Sequence, residues 1–315
     1  MRIIADKYIP YLSGLLEQYA DVLYAEPESV TPALVRDADC LIVRTRTRCD
    51  RQLLEGSRVR LILTATIGYD HIDTDYCREA GIAWHNAPGC NADGVCDYVE
   101  SALLATGTLL QGSVLGIVGV GEVGGRVCRM ARERGMRVLL CDPPRAEREG
   151  AEPFVSIEDL ARKSDVITLH PALSRTGKYP SWHLIDEALL RRTKPTALII
   201  NAARGGVVDE QALIRSGRRC VIDCWENEPH INPDMLCYAD YATCHIAGYT
   251  RWGKYRATDI CLRELTRFFD ISPIRIPKEQ VPEHCSTVFD LTPLSEELKA
   301  KPQLFELLRK NYRLR

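Results

Sequence analysis

Val114-Leu115-Gly116-Ile117-Val118-Gly119-Val120-Gly121-Glu122-Val123-Gly124 decides the fold. An apolar run of strand type enters a G-x-G-x-x-G turn, and a helical pattern over Val123–Arg134 leaves it. Gly119 permits the tight turn, Gly121 lets the backbone approach a pyrophosphate, and Gly124 lets helix and strand pack closely. The helix start then presents unpaired N–H groups, with Glu122 and Val123 at its head, to the phosphates. Glycine turns are common, so the weight comes from an acid farther along the chain. The next strand, Arg137–Cys141, ends at Asp142, close to the offset of about 20 residues expected for an acid that bonds ribose hydroxyls. A carboxylate there repels a 2′-phosphate, which favours NAD over NADP, while Arg145 works against that preference. The bland alternative is a glycine turn followed by a helix-capping Asp.

Working outward, short apolar runs alternate with helical patterns. Arg2–Asp6, Cys40–Arg44, Arg60–Ala65, Ser113–Val118, Arg137–Cys141, Asp165–Leu169, Ala197–Asn201, Cys220–Asp223 and Ala242–Cys244 read as strands. Several are apolar on both faces, as in a parallel sheet covered by helices. The alternation predicts an α/β fold with two doubly wound parallel-sheet domains of Rossmann type. Asp209 stands at the N-cap position of a helix ending at Ser216. A Pro88-Gly89 turn precedes a long helix over 91–110, with Val95, Tyr98, Val99, Ala102 and Leu103 on one face. A second helix, Arg251–Phe269, follows Gly248, and Leu294–Leu314 reads as a third. These boundaries divide the chain into a domain at 1–90 to which 249–272 returns, a nucleotide-binding domain at 91–248, and a terminal segment at 273–315.

The 315 residues suit two domains, and 45% apolar with 27% charged residues excludes a disordered or fibrous chain. A net charge of −2 gives no reason to expect nucleic acid or an anionic membrane as partner. No apolar run reaches membrane-span length, and the N-terminal residues lack a signal-peptide pattern. The 13 Cys are odd in number and contain no C-x-x-C pair, so neither a disulfide framework nor a metal site is expected. Reduced, mostly buried thiols in a cytoplasmic protein are the plain reading.

Three later strand ends carry polar residues. The strand Ala197-Leu198-Ile199-Ile200-Asn201 leads into Ala202-Ala203-Arg204-Gly205-Gly206. An Arg at the carboxyl end of a parallel strand faces the ligand crevice, and its planar fork suits a carboxylate. Asp223-Cys224-Trp225-Glu226-Asn227-Glu228-Pro229 is an acidic loop after a strand, and His245 lies just past Thr243-Cys244. Each alone has a bland reading as a solvated loop or a structural His. Together they set an Arg, a Glu and a His after a nucleotide-binding turn.

The glycine motif, Asn201-x-x-Arg204-Gly205, Asp223-x-Trp225-x-x-Glu228-Pro229 and His245-Ile246-Ala247-Gly248 resemble the D-isomer-specific 2-hydroxyacid dehydrogenases. Thr64-Ala65-Thr66-Ile67-Gly68, Val43-Arg44-Thr45, Tyr249-Thr250 and Leu298–Glu306 narrow the resemblance to members acting on a phosphorylated sugar acid, with homodimers formed through the C-terminal segment. The resemblance implies NAD-dependent oxidation of 4-phospho-D-erythronate at C2, in pyridoxal 5′-phosphate synthesis. It makes His245 the acid/base, Glu228 its ring partner and Arg204 the holder of the substrate carboxylate. Gly119, Gly121, Glu122, Val123, Gly124, Asp142, Pro171, Ala202, Ala203, Arg204, Asp223 and Gly248 are carried over as cofactor contacts. Thr45, Thr66, Tyr249 and Arg44 become substrate contacts, and Arg44, Arg46 and Arg48 form a candidate phosphate anchor or a solvated strand edge. The chain departs at His170-Pro171-Ala172, where the family has His-Thr-Pro. The alternatives are a relative acting on glyoxylate, hydroxypyruvate or 3-phosphoglycerate, or a non-catalytic NAD-sensing protein on this scaffold.

Overall fold

The computed structural model describes residues 1–315 and divides into two compact units. The first comprises Met1–Asn91 and Thr250–Cys285, the second Ala92–Tyr249 and Ser286–Arg315.

The first unit holds five parallel strands in the order β2-β1-β3-β4-β5: β1 Arg2–Asp6, β2 Asp21–Ala25, β3 Cys40–Val43, β4 Leu61–Thr64 and β5 Ala83–His85. The central strands β3 and β4 are buried along their whole length, which is why they read as unbroken apolar runs. The two edge strands are additions to those expected from the sequence. β2 alternates exposed and half-buried residues, and β5 is three residues long, so neither carries a continuous apolar signal. The helix Arg251–Phe269 buries Ala257, Cys261, Leu262 and Leu265 on this sheet's core and is capped by Thr250, whose hydroxyl accepts from Gly253 N at 2.9 Å.

The second unit holds six parallel strands in the order β11-β10-β9-β8-β6-β7: β6 Val114–Val118, β7 Arg137–Cys141, β8 Val166–Leu169, β9 Leu198–Asn201, β10 Arg219–Ile222 and β11 Tyr241–Ala242. Order reverses between β6 and β8, the switch point where doubly wound sheets bind ligands. The helix Ala92–Ala105 buries Val95, Tyr98, Val99, Ala102 and Leu103, as its periodicity requires. It stops at Ala105 rather than at 110. Gly107 takes φ 68°, and the Thr106 hydroxyl turns back to Ala102 O at 2.6 Å.

The terminal segment 273–315 is not a body of its own. Ile274 and Ile276 are buried in the first unit, whereas Leu291, Leu298 and Phe305 are buried in the core of the second. The expected single helix is two, Thr292–Ala300 and Phe305–Asn311, because Pro302 interrupts it. The first of these shields the short edge strand β11, with Ser295 Oγ accepting from Ala242 N at 3.0 Å. Phe305 is 1% exposed. Phe305→Ala is therefore expected to remove about 3–5 kcal/mol and lower the unfolding temperature by several degrees in calorimetry. An unchanged transition would mean that the tail is not docked.

All 13 cysteines are free, and ten are buried. No helix is long and apolar enough to cross a membrane.

Candidate active site

The strands of the second sheet end in register: Cys141, Val118, Leu169, Asn201, Ile222 and Ala242 are successive partners. The loops that carry the candidate residues of this unit lie just past those ends.

The glycine turn has the shape a dinucleotide needs. Gly119 takes φ 83°, and a Cβ there would lie 2.7 Å from the carbonyl carbon of His170 and from Pro171 N. Around Gly121 there is nothing within 4 Å of a built Cβ, which leaves an open backbone face. A Cβ on Gly124 would sit 2.1 Å from Gly119 O, so only glycine lets the helix Glu122–Glu133 start this close to β6. Glu122 is exposed and bonds Arg126 at 2.7 Å, and Val123 lies on the helix's first turn. The turn thus fits a dinucleotide pyrophosphate, with Gly121 and the amides at the helix start to hold it.

Asp142 has a local task as well. Its Oδ2 accepts from Val120 N at 2.8 Å and its Oδ1 from Arg145 N at 3.0 Å. The carboxylate therefore caps a helix and braces the glycine turn. Arg145 donates to Val120 O at 2.5 Å and pairs with Glu149. His170, beside Pro171, is buried, which lowers its pKa to about 3 and keeps it neutral.

Arg204, Glu228 and His245 line one pocket of about 260 Å³, together with Leu173, Arg175, Trp182, Gly205, Gly206, Trp225, Glu226 and Asn227. Glu228 Oε2 lies 2.8 Å from His245 Nδ1, and Glu228 Oε1 accepts from Trp225 N at 2.8 Å. An ionised carboxylate only accepts, so Nδ1 carries a proton and Nε2 is left for a substrate. Burial opposes charge on the imidazole, but the adjacent Glu228 carboxylate outweighs it and raises the His245 pKa well above its usual value. Burial also opposes charge on Glu228. The imidazole, the Trp225 N–H and Arg309 overcome it and hold the carboxyl below its ordinary range.

His245 sits at φ 57°, a left-handed backbone that costs a β-substituted residue about 1–2 kcal/mol. Asp223 holds it there. This carboxylate is fully buried; Oδ1 accepts from Ile246 N at 2.8 Å and from the Thr243 hydroxyl at 2.6 Å, and Oδ2 from Ala247 N at 3.0 Å. Within the protein its contacts are with the loop that aims the imidazole. Gly248 and Tyr249 continue that loop, with Tyr249 N donating to Ile246 O at 2.8 Å and its ring 6.3 Å from that of Tyr312.

Asn201 organises Arg204. Its Nδ2 donates to Arg204 O at 2.9 Å and Cys224 O at 3.2 Å, and its Oδ1 accepts from Ala203 N at 3.2 Å. The Arg204 side chain donates from Nη1 to Ala203 O at 2.8 Å, and Ala202 is a half-buried residue of the same loop. The 204 and 225 loops touch through glycine, since a Cβ on Gly205 would lie 1.9 Å from Trp225 O. Gly205→Ala is expected to displace both loops, destabilise the protein by about 1–3 kcal/mol and depress turnover. Wild-type activity and melting temperature would refute this contact.

Several supporting groups were not among the residues expected from the sequence. His183 Nε2 donates to Glu226 Oε1 at 2.7 Å, while its own amide donates to Gly206 O at 2.7 Å, so one residue braces both loops. Glu210 Oε1 accepts from Glu226 N at 2.8 Å; burial raises its pKa to about 7. Nothing in the local sequence marks these residues, because their partners are distant in the chain.

Cys224, Glu228 and His245 bring ligand-type atoms within 4.8 Å of one another. Burial raises the Cys224 pKa, so the sulfur keeps its proton near neutral pH, and both Glu228 oxygens already face N–H donors. The trio is built for proton handling.

In the first unit, Arg44, Thr45 and Thr66 lie just past the carboxyl ends of the adjacent strands β3 and β4. Thr45 is exposed. Thr66 Oγ1 lies 2.7 Å from Thr64 Oγ1 and donates to Gly68 O at 2.9 Å. Arg44 grips the buried Asp6 carboxylate with two donors at 2.8 and 3.2 Å. Arg46 and Arg48 are exposed and pair with Glu28 and Asp50.

Residues 97–247 match the family model described as the D-isomer specific 2-hydroxyacid dehydrogenase, NAD binding domain. An erythronate-4-phosphate dehydrogenase of Bacteroides fragilis is 46% identical over 336 aligned positions, covering 100% of this chain and 97% of the relative. The chain belongs to the erythronate-4-phosphate dehydrogenase family. A second member, from Porphyromonas gingivalis, is 40% identical over 99% of this chain and 92% of its own. Among solved structures, NAD+-bound 3-phosphoglycerate dehydrogenase of Entamoeba histolytica superposes with a TM-score of 0.73 at 25% identity, over 90% of this chain and 99% of that one. Erythronate-4-phosphate dehydrogenases are thus similar to this chain along its whole length, including both units.

Proposed function

We propose that this NAD-dependent 2-hydroxyacid dehydrogenase oxidises 4-phospho-D-erythronate at C2 to 3-hydroxy-2-oxo-4-phosphooxybutanoate, a step of vitamin B6 synthesis. The observation that carries the reading is the single pocket lined by Arg204, Glu228 and His245, in a chain 46% identical to an erythronate-4-phosphate dehydrogenase. Bound at the glycine turn, NAD supplies the hydride acceptor. His245 Nε2 takes the C2 hydroxyl proton as C2 gives up its hydride, so alcohol and NAD+ become ketone, NADH and a proton. Glu228 holds the imidazole's tautomer and stabilises the imidazolium that forms. The Arg204 fork binds the substrate carboxylate and polarises the C2 oxygen. Tyr249, Thr45, Thr66 and Arg44 complete the substrate contacts on this reading, with Arg44 directed to the phosphate. We also assign a cytoplasmic location and a homodimer; sedimentation of the purified protein tests the dimer, and cell fractionation tests the location.

The deciding assay follows NADH formation with 4-phospho-D-erythronate beside glycolate, glycerate and 3-phosphoglycerate as alternative hydroxy acids. Turnover of the phosphorylated four-carbon acid with kcat/KM at least about tenfold above the others supports the assignment. Preference for a smaller acid overturns it, and NAD binding without turnover of any acid marks a sensor.

A further inference from the structure

The C-terminal helix Phe305–Asn311 brings a cation to the catalytic pair. Arg309 Nη1 lies 3.6 Å from Glu228 Oε2, the same oxygen that meets His245 Nδ1 at 2.8 Å. Its Nη2 is anchored by Glu306 Oε1 at 2.6 Å, one turn earlier on the helix. Arg309 is only 21% exposed, and it does not line the pocket that Arg204 and His245 share. It therefore meets Glu228 without belonging to the pocket's lining.

We propose that Arg309 is a positioning residue that shares the Glu228 carboxylate with His245 and thereby sets the pH at which the imidazole serves as a base. The inference rests on the dehydrogenase reading of the site. The Glu228 carboxylate stabilises the imidazolium and so opposes the neutral base that the oxidation direction needs. A guanidinium on the same oxygen draws off part of that negative charge and makes the proton on His245 easier to lose. The other charged or titratable groups here are Arg204 and Arg175 at the pocket, Asp223, Cys224 and Glu226 on the preceding loop, Glu210 and His183 behind it, Cys244 and Tyr249 beside the His, and Glu306, Tyr312 and Arg315 from the C-terminal segment, the last bonded to Ala247 O. Among them Arg309 is the cation whose contact with the Glu228 carboxylate lies within ion-pair distance.

The test is the pH profile of kcat/KM for oxidation by the full-length protein with NAD. Arg309→Met should move the acidic limb upward by about one unit, which is about tenfold less activity on the acidic side. Arg309→Lys, which keeps the charge, should restore the limb. Glu306→Gln frees more of the guanidinium for Glu228, so its limb should move the opposite way. A limb that stays put in Arg309→Met, or a loss that appears only as a raised substrate KM at every pH, overturns the proposal; the latter makes Arg309 a substrate anchor. Should Arg309→Met fail to fold, the Glu306→Gln profile decides, since an unmoved or upward-moving limb refutes the idea. An inactive wild type would overturn the dehydrogenase reading instead, a result the variants cannot produce.

Discussion

Replacing His245 by Ala is expected to slow NADH formation by roughly 10²- to 10⁴-fold at saturating substrate, with NAD affinity retained. Hydroxyl oxidation leaves a proton that must go somewhere as the hydride departs, and the imidazole that pairs with Glu228 at 2.8 Å is the base the pocket offers. The glycine turn lies at the end of a different strand, so the substitution leaves the cofactor cradle intact. Steady-state rates and NAD titration by fluorescence quenching separate the two effects. The sign of the pH dependence comes from the raised pKa of His245. A base must be neutral before it accepts, so oxidation should rise with pH through that pKa, while the reverse reduction, which needs the imidazolium, should fall. Glu228→Gln removes the charge that stabilises the imidazolium and should shift both limbs to lower pH. Full activity in His245→Ala, or limbs that stay fixed in Glu228→Gln, would remove the acid/base assignment.

Much of this was legible in the sequence because the signals are local. The unbroken apolar runs of β3, β4, β8 and β9 announce buried parallel strands, and the spacing of Gly119, Gly121 and Gly124 announces the turn after β6. Arg204, Glu228 and His245 were readable as strand-end polar residues, although only the fold could place them in one pocket. What stayed hidden is long-range. His183 meets Glu226 across 43 positions, and Arg309 meets Glu228 from a helix near the end of the chain. The edge strands β2 and β5 lack two buried faces, so they lack the continuous apolar pattern that identifies their neighbours. Asp223 carries a second task that the sequence did not mark: burial and three donors make it a brace that keeps His245 in a left-handed backbone.

Arg204→Lys is expected to lower kcat/KM for the hydroxy acid by about 10²- to 10³-fold, the cost of losing an aligned donor at the reacting oxygen. Charge alone does not explain why Arg stands here. A guanidinium offers several N–H groups in one plane, enough to bond a carboxylate and the neighbouring C2 oxygen together; an ammonium is a point charge with no such fork. The surroundings keep that fork in place. Asn201 ties the Arg204 carbonyl to the Cys224 carbonyl, and Gly205 lets the backbone rest on Trp225. The loss should therefore fall in both kcat and KM, because the same fork holds the substrate and stabilises charge in the transition state. NAD affinity should change by less than about threefold, since the glycine turn is untouched. If Lys supports near-normal turnover, the carboxylate is held elsewhere, and the Thr66–Gly68 turn of the first unit becomes the group to substitute next.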